Sequence, residues 1–282
     1  MFKYILFFLI FFLQNNIYAR ELRVGYSNEA MQQFSAKDVT IATNLWLQQL
    51  VSDSNYTATF SFYNDKNLAK AAKEGRADYL SAYGIAYVKY FNLSELQDGF
   101  TGGSINRKDE NLILVLKKWM SMQEFLHMQK PSIAYLDGNE LATIYGKYLF
   151  LKNKNKTKVI FVPGRTNYKA LLDLFFHKVD AAIIMSKTFR FASELNPQIS
   201  QMLYIAQKTN LCAGNFGFFT KRVDPAFLKV ITDIAMALNN TKKGKQVLDI
   251  FRTEAVITTK RNELKPIKEL YDNYLKLKQK EK

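Results

Sequence analysis

Polar and apolar residues alternate along YTATFSFYND (56–65), the period-two signature of a half-buried strand, and the run stops at an Asn-Asp pair. The segment before it, DVTIATNLWLQQLVSD, spaces Val39, Ile41, Leu45, Leu47 and Leu50 among polar residues and predicts an amphipathic helix. Upstream again, ELRVGY predicts a short strand and SNE a helix start. Downstream, NLAKAAKEG predicts a helix closing at Gly75, and RADYLSAYG a strand of small and aromatic residues that breaks at Tyr83-Gly84. The order is β-α-β-α-β.

The order returns from Lys130. KPSIAYLDGNE predicts a strand and a helix start, ELATIYGKYLFLKN a helix, and KVIFVPGRTN a strand ending in a Pro-Gly turn. YKALLDLFFHK predicts an amphipathic helix and VDAAIIMS a last strand. Asp78 and Asp180 open the third strand of each half, 102 residues apart. Alternating units of this kind predict a mostly parallel sheet in each half with helices on both faces. The fold class expected is α/β and two-lobed.

Two segments link the halves. GFTGGSINRKDENLILVLKKW (99–119) holds a flexible TGGS and a long apolar strand, and NLCAGNFGFFTKR (210–222) reads as a second strand-like crossing. Helices are expected over 224–239 and 241–254, and a charged helical tail follows from Asn262. Two crossings and a return make the first lobe discontinuous, 20–104 plus 216–282, with 105–215 as the second lobe.

In open α/β sheets a ligand sits beyond the carboxyl ends of the parallel strands. Those ends are Tyr26-Ser27-Asn28, Tyr63-Asn64-Asp65 and Tyr83-Gly84 in one lobe, and Asp137-Gly138-Asn139, Arg165-Thr166-Asn167 and Ser186 in the other. Across a cleft, Tyr26, Tyr63 and Tyr83 would supply aromatic walls with hydroxyl groups. Ser27, Asn139, Thr166, Asn167 and Ser186 would orient a solute by hydrogen bonds, with Asp137 or Arg165 matching its charge. Helix N-termini at 28, 66, 139 and 167 would turn N–H groups toward it. Asp78 and Asp180 sit at the other strand ends, where a structural role accepting backbone N–H groups is expected.

Composition changes this picture in three ways. Residues 1–19 carry one lysine, Lys3, an apolar stretch from Tyr4 to Leu13 and a polar segment ending at Ala19, the plan of a secretory signal peptide cleaved after Ala19 rather than of an uncleaved anchor. The single cysteine, Cys212, leaves no internal disulfide and reads as a small buried hydrophobe. The formal charge of +15 collects in KNKNKTK (152–158), TKKGK (241–245) and KLKQKEK (276–282), which read as solvated faces; no nucleic-acid motif accompanies it. Asp53-Ser54-Asn55-Tyr56-Thr57 fits an extended glycosylation sequon at Asn55.

EGRADYLSAYGIAYV, then ENLILVLKK, then VPGRTNYKALLDLFFHKVDAAIIMS, with DPAFLKVITDIAMALNNTKKGKQVLDIF closing, resemble the periplasmic solute-binding proteins of phosphate/phosphite/phosphonate ABC transporters, the PhnD-like family, over roughly residues 22–270. The resemblance implies a type II periplasmic binding fold, a monomer in the periplasm, a small polar solute, and a membrane permease as partner. The hydroxyl-rich helix start by which family members cradle an oxyanion is replaced here by Leu136-Asp137-Gly138-Asn139-Glu140-Leu141-Ala142-Thr143. Two carboxylates there would repel a phosphonate, so an amine-bearing or neutral solute is as plausible as an oxyanion. The alternative job for the same fold is a ligand-sensing partner of a membrane receptor or histidine kinase. A catalytic reading has little to stand on: the histidines, His127 and His177, show no metal-ligand spacing with Cys212, and no nucleophile elbow or phosphate loop occurs. Glu29, Asp65, Asp137 and Glu140 fall near the expected cleft as acids only. Neither cofactor nor metal is expected.

Overall fold

The computed structural model describes residues 20–32, 35–51, 56–153 and 157–280. The expected leader and the Asn55 sequon lie outside them. In chain order the first part reads β1 (Arg20–Ser27), α1 (Asn28–Met31), α2 (Ala36–Val51), β2 (Tyr56–Tyr63), α3 (Asp65–Lys73), β3 (Tyr79–Tyr83), α4 (Gly84–Tyr90), β4 (Leu96–Gln97) and β5 (Gly99–Gly103). The middle part reads β6 (Asn111–Lys117), α5 (Met122–His127), β7 (Ser132–Leu136), α6 (Glu140–Lys152), β8 (Ile160–Gly164), α7 (Asn167–Phe175), β9 (Ala181–Met185), α8 (Ser186–Leu195), α9 (Pro197–Met202) and β10 (Leu203–Cys212). The chain returns as β11 (Asn215–Thr220), α10 (Pro225–Ala237), α11 (Lys242–Ile250), β12 (Ala255–Thr259) and α12 (Lys265–Gln279).

These strands form two five-stranded sheets of one design. The first has the order β2-β1-β3-β11-β4 and the second β8-β7-β9-β6-β10. In each, three parallel strands are followed by an antiparallel pair. The crossing strands are therefore members of the sheets they reach. β6 is buried in mid-sheet, which explains its unbroken LILVL run: both faces meet core. The chain passes between sheets at residues 104–110 and at Ala213-Gly214. A third, two-stranded sheet pairs β5 with β12. Neither strand was foreseen: the glycines of GFTGG read as a linker, and AVITT falls between expected helices.

The two aspartates flagged by the pattern do the same work in both halves. The Asp78 carboxylate takes the Arg23 guanidinium at 2.7 and 3.0 Å, and the Arg23 N–H at 3.4 Å. Its own N–H donates to the Arg23 carbonyl. Asp180 accepts from Ser132 N–H at 2.9 Å and Ser132 Oγ at 2.6 Å, and its N–H donates to the Ser132 carbonyl. Each acid pins the start of the third strand to the first strand, at Arg23 within β1 and at Ser132 where β7 begins, fixing register where the ladder between them begins.

Helices cover both faces of each sheet. One hydrophobic cluster runs from Leu80 and Ile85 through Leu114 and Tyr145 to Ile267 and Tyr274, so it joins the two sheets. α12 is the shared element: it packs on α6 beside the second sheet and on α4 beside the first. Gly217 admits the β5–β12 layer. A Cβ there would lie 1.8 Å from the Phe100 carbonyl oxygen, so only glycine lets β5 cross so close. The Tyr79 hydroxyl donates to that carbonyl at 2.7 Å.

Loss of either clamp leaves a part-buried backbone N–H without its acceptor. Asp78→Ala and Asp180→Ala should each lower the unfolding free energy by about 1–3 kcal/mol, read by urea denaturation at neutral pH. A loss under about 0.5 kcal/mol in both variants would show that the clamps are incidental.

Candidate functional site

Between the two sheets and the small β5–β12 layer lies a cleft of about 230 Å3. The first sheet contributes Tyr26 from β1 and Tyr79, Ser81 and Tyr83 from β3, because the pleat turns alternate residues of β3 to one side. The β5 edge contributes Phe100 and Thr101, and the turn after α11 contributes Phe251, Arg252 and Thr253. From the second half come Thr166 and Asn167 at the start of α7, Met185 at the end of β9, and Lys187 in the first turn of α8. The crossings supply Glu110, Gly214 and Asn215.

Four of the ten residues expected from strand ends line this wall: Tyr26, Tyr83, Thr166 and Asn167. Thr166 caps α7, its Oγ1 accepting from Lys169 N–H at 3.0 Å, and the Asn167 amide oxygen accepts from Met185 N–H at 3.3 Å. Burial holds the Tyr26 and Tyr83 hydroxyls above their ordinary pKa, with the Thr43 hydroxyl pulling Tyr26 back in part and the Asp65 charge pushing Tyr83 further. Both stay protonated and can donate.

The other six lie off the wall, each held by a different partner. Ser27 is buried, caps α1 and donates to Asp65 Oδ1 at 2.6 Å. Tyr63 turns to the loop after α3, where Arg76 stacks over its ring. Asp137 is exposed and folds back on Gly138 N–H. Arg165 is exposed. Asn139 donates to the Ala213 carbonyl at 3.3 Å, and Ser186 to the Lys108 and Asp109 carbonyls at 3.1 and 3.2 Å. The last two therefore tie the second sheet's loops to the crossings. The repulsion argued from Asp137 and Glu140 does not act in the cleft either. Neither lines it, and Glu140 is paired with Lys89 at 2.6 Å, across the seam between the halves.

Residues that sequence reasoning passed over complete the wall: Trp46, Ser81, Phe100, Thr101, Lys187, Asn215 and Arg252. Lys187 follows directly on Ser186, so a reading of one more residue past the strand end would have included it. Phe100 and Arg252 carried no such signal, since they come together only when β12 pairs with β5.

The charges of the site centre on Glu110, which is buried. Its carboxylate is paired with the Arg107 guanidinium and accepts Ser104 N–H at 2.9 Å. Lys187 Nζ lies 3.7 Å from it and donates to Ser104 Oγ at 2.9 Å. Gly214 leaves room for the carboxylate, for a Cβ there would sit 2.1 Å from Oε2. Cys212 lies beside the same group. Burial first, and then the Glu110 charge, push its thiol up to about 11 against the pull of Arg107, so it is no thiolate at neutral pH. The Asn215 amide oxygen is buried without a hydrogen-bond partner among the described residues. Arg252 ends α11 at φ 50°, a left-handed conformation that a side chain disfavours.

Two lobes of duplicated α/β design facing one another across a polar and aromatic cleft define a periplasmic-binding-protein fold of type II. The chain belongs to the family described as ABC transporter, phosphonate, periplasmic substrate-binding protein, which matches residues 30–264. It is thus a substrate-binding component of an ABC transporter, not an enzyme; such proteins bind a small solute and deliver it to a membrane permease. The sensing alternative finds no support. Solved structures agree on the fold. A binding-protein component of an ABC phosphonate transporter from Pseudomonas aeruginosa superposes with TM-score 0.61 at 13% identity, over 92% of this chain and 88% of that one. PhnD1 from Prochlorococcus marinus, solved with methylphosphonate, gives 0.59 at 14% identity, over 89% and 97%. A Xanthomonas citri protein solved with ATP gives 0.62 at 10% identity, over 93% and 99%. No curated protein matches in sequence. Among the described residues no helix is long and apolar enough to cross a membrane.

The seam beside the cleft titrates. Burial pushes the Asp65 carboxyl up to about 6; the Ser27 hydrogen bond opposes this, Glu29 and Glu140 add to it, and Lys89 pulls down. The folded chain binds this proton more tightly than the unfolded chain does. Its contribution to stability is therefore complete below the ordinary carboxylate pKa and lost as pH rises through about 6. Asp65→Asn keeps an acceptor for Ser27 and cannot ionise. Its melting temperature should gain on the parent by about 2–4 °C between pH 4 and pH 8; a pH-independent difference in scanning calorimetry would contradict the assignment.

Proposed function

We propose that the chain, acting as a monomer in the periplasm after removal of its leader at Ala19, holds a small organic oxyanion in this cleft. The lobes that close on it are 20–104 with 216–282 and 105–215, linked behind the cleft by α12. The observation that carries the reading is the charge of the wall. Lys187 and Arg252 line it from opposite lobes, and Glu110, the acid among the lining residues, is paired with Arg107 and lies 3.7 Å from Lys187, so cations outnumber acids on the wall. The positive end of α7 adds to the field. Ser81, Thr101, Thr166, Asn167 and the orphan amide of Asn215 give hydrogen-bond partners around the same space. An amine-bearing solute would meet two cations.

The conformation of Arg252 supports the same reading. Glycine is the low-cost residue at a left-handed helix end, and an arginine there carries a backbone penalty of about 1–2 kcal/mol. A site that needs a guanidinium at the cleft edge accounts for its presence.

Two variants separate binding from folding. Lys187→Met should weaken methylphosphonate binding by about 10- to 100-fold, the effect of deleting one charge-assisted hydrogen bond. Arg252→Gly should also weaken it, yet raise the unfolding free energy by about 1 kcal/mol. Isothermal titration with methylphosphonate, inorganic phosphate, sulfate and ethanolamine reads the first property, and urea unfolding the second. Tighter binding of ethanolamine than of every oxyanion would overturn the reading.

A further inference from the structure

Of the cations on the wall, Lys187 comes from the second lobe and Arg252 from the first. The apolar part of the wall belongs to the first lobe: Trp46, Phe100, Leu238, Leu248, Phe251 and Val256. These side chains come from α2, β5, the turn after α10, α11 and its C-terminal turn, and β12, and all belong to the hydrophobic cluster on that face of the first sheet or pack against it. Rings meet at its edge: Tyr79 and Phe100 stack at 5.0 Å between centroids, and Trp46 meets Phe100 edge-on at 6.1 Å. The second lobe's share of the wall is polar apart from Met185: Thr166, Asn167 and Lys187.

The cleft thus has a cationic, hydrogen-bonding zone around Lys187, Thr166 and Asn167 and an apolar zone against Trp46, Leu248 and Phe251. A one-carbon solute such as methylphosphonate would use the first and leave the second empty. Ordered water needs two to four polar partners, and the apolar walls supply few. Unfilled apolar space forfeits dispersion contacts that a close-packed interior otherwise makes. An apolar cavity of about 150 Å3 is large enough to take up benzene, and the whole cleft here is about 230 Å3. From this division we infer that the solute is amphiphilic: an oxyanion head bearing a ring-sized apolar group, with the head at Lys187 and the ring against the apolar wall that Trp46, Leu248 and Phe251 help to form. The inference rests on the oxyanion reading above and adds the substituent class.

The test is a titration of the full mature chain with methylphosphonate, phenylphosphonate and neutral benzyl alcohol, followed by calorimetry. Phenylphosphonate should bind about 10- to 100-fold tighter than methylphosphonate, the gain from burying a phenyl group. Met31 also lines the cleft. Met31→Trp, which takes up room beside the apolar wall, should bring that ratio toward one. In parent protein, phenylphosphonate binding no tighter than methylphosphonate overturns the inference and leaves the oxyanion reading intact. Binding of benzyl alcohol without either phosphonate supports the apolar zone and overturns the oxyanion head. Binding of none of the three overturns both.

Discussion

A carboxylate removed from water must be neutralised, and the junction of the two lobes is built around that demand. Glu110 is buried at the end of the first crossing, and every element that meets there supplies part of the answer. Arg107 gives the opposite charge, Ser104 a backbone donor, and Lys187 a second cation from α8. Gly214, on the second crossing, gives the space. Arg107 in turn donates to the Asn215 carbonyl at 2.7 Å, so the two crossings are fastened to each other. An uncompensated buried charge is severely destabilising, so these partners cannot drift independently. The geometry that satisfies Glu110 also presents Lys187 and Asn215 to the cleft.

The rest of the site follows from how the sheets are closed around this junction. Each half begins its third strand with an aspartate clamped to the first strand, and ends it at a helix start. One end of the sheet thus serves stability and the other faces the cleft, a division that parallel strands impose because loops of one kind gather on one edge. Yet the loops do not all face the solute. Asn139 and Ser186 bind the crossings, and Ser27 and Asp65 bind each other beside the Lys89–Glu140 pair. Three of the ten strand-end residues expected to meet a solute, Ser27, Asn139 and Ser186, belong instead to the seam between the halves. Polar side chains at strand ends can satisfy either role, and the choice depends on which carbonyl or carboxylate lies opposite.

The family to which the chain belongs gives the job, and the local chemistry of the wall narrows the guest. The hydroxyl-rich helix start expected for oxyanion recognition is replaced at residues 137–140, but those residues are elsewhere. The positive charge of the cleft is supplied by α8 and by the turn after α11 instead. An apolar wall from the first lobe and a polar one from the second give the cleft two unlike sides, and shape and polarity together constrain a guest more than either does alone.

Local periodicity was enough to determine the repeated β-α-β-α-β plan, the two crossings, the helix starts at Asn28, Asn167 and near Asp65, and the roles of Asp78 and Asp180, because these depend on residues near in sequence and on rules for right-handed, parallel units. Tyr26, Tyr83, Thr166 and Asn167 were readable for the same reason: each ends a strand or begins a helix. What needed the tertiary structure was every contact made across the halves. The β5–β12 pairing joins residues some 150 apart and brings Phe100 to Arg252; α12 lies on both lobes; and Asp137, Arg165 and Tyr63 turn away from the cleft. Strand propensity says nothing about which distant strand will pair. The direction of a side chain at a strand end is decided by the partner it finds, and that partner is known only once the sheets have met.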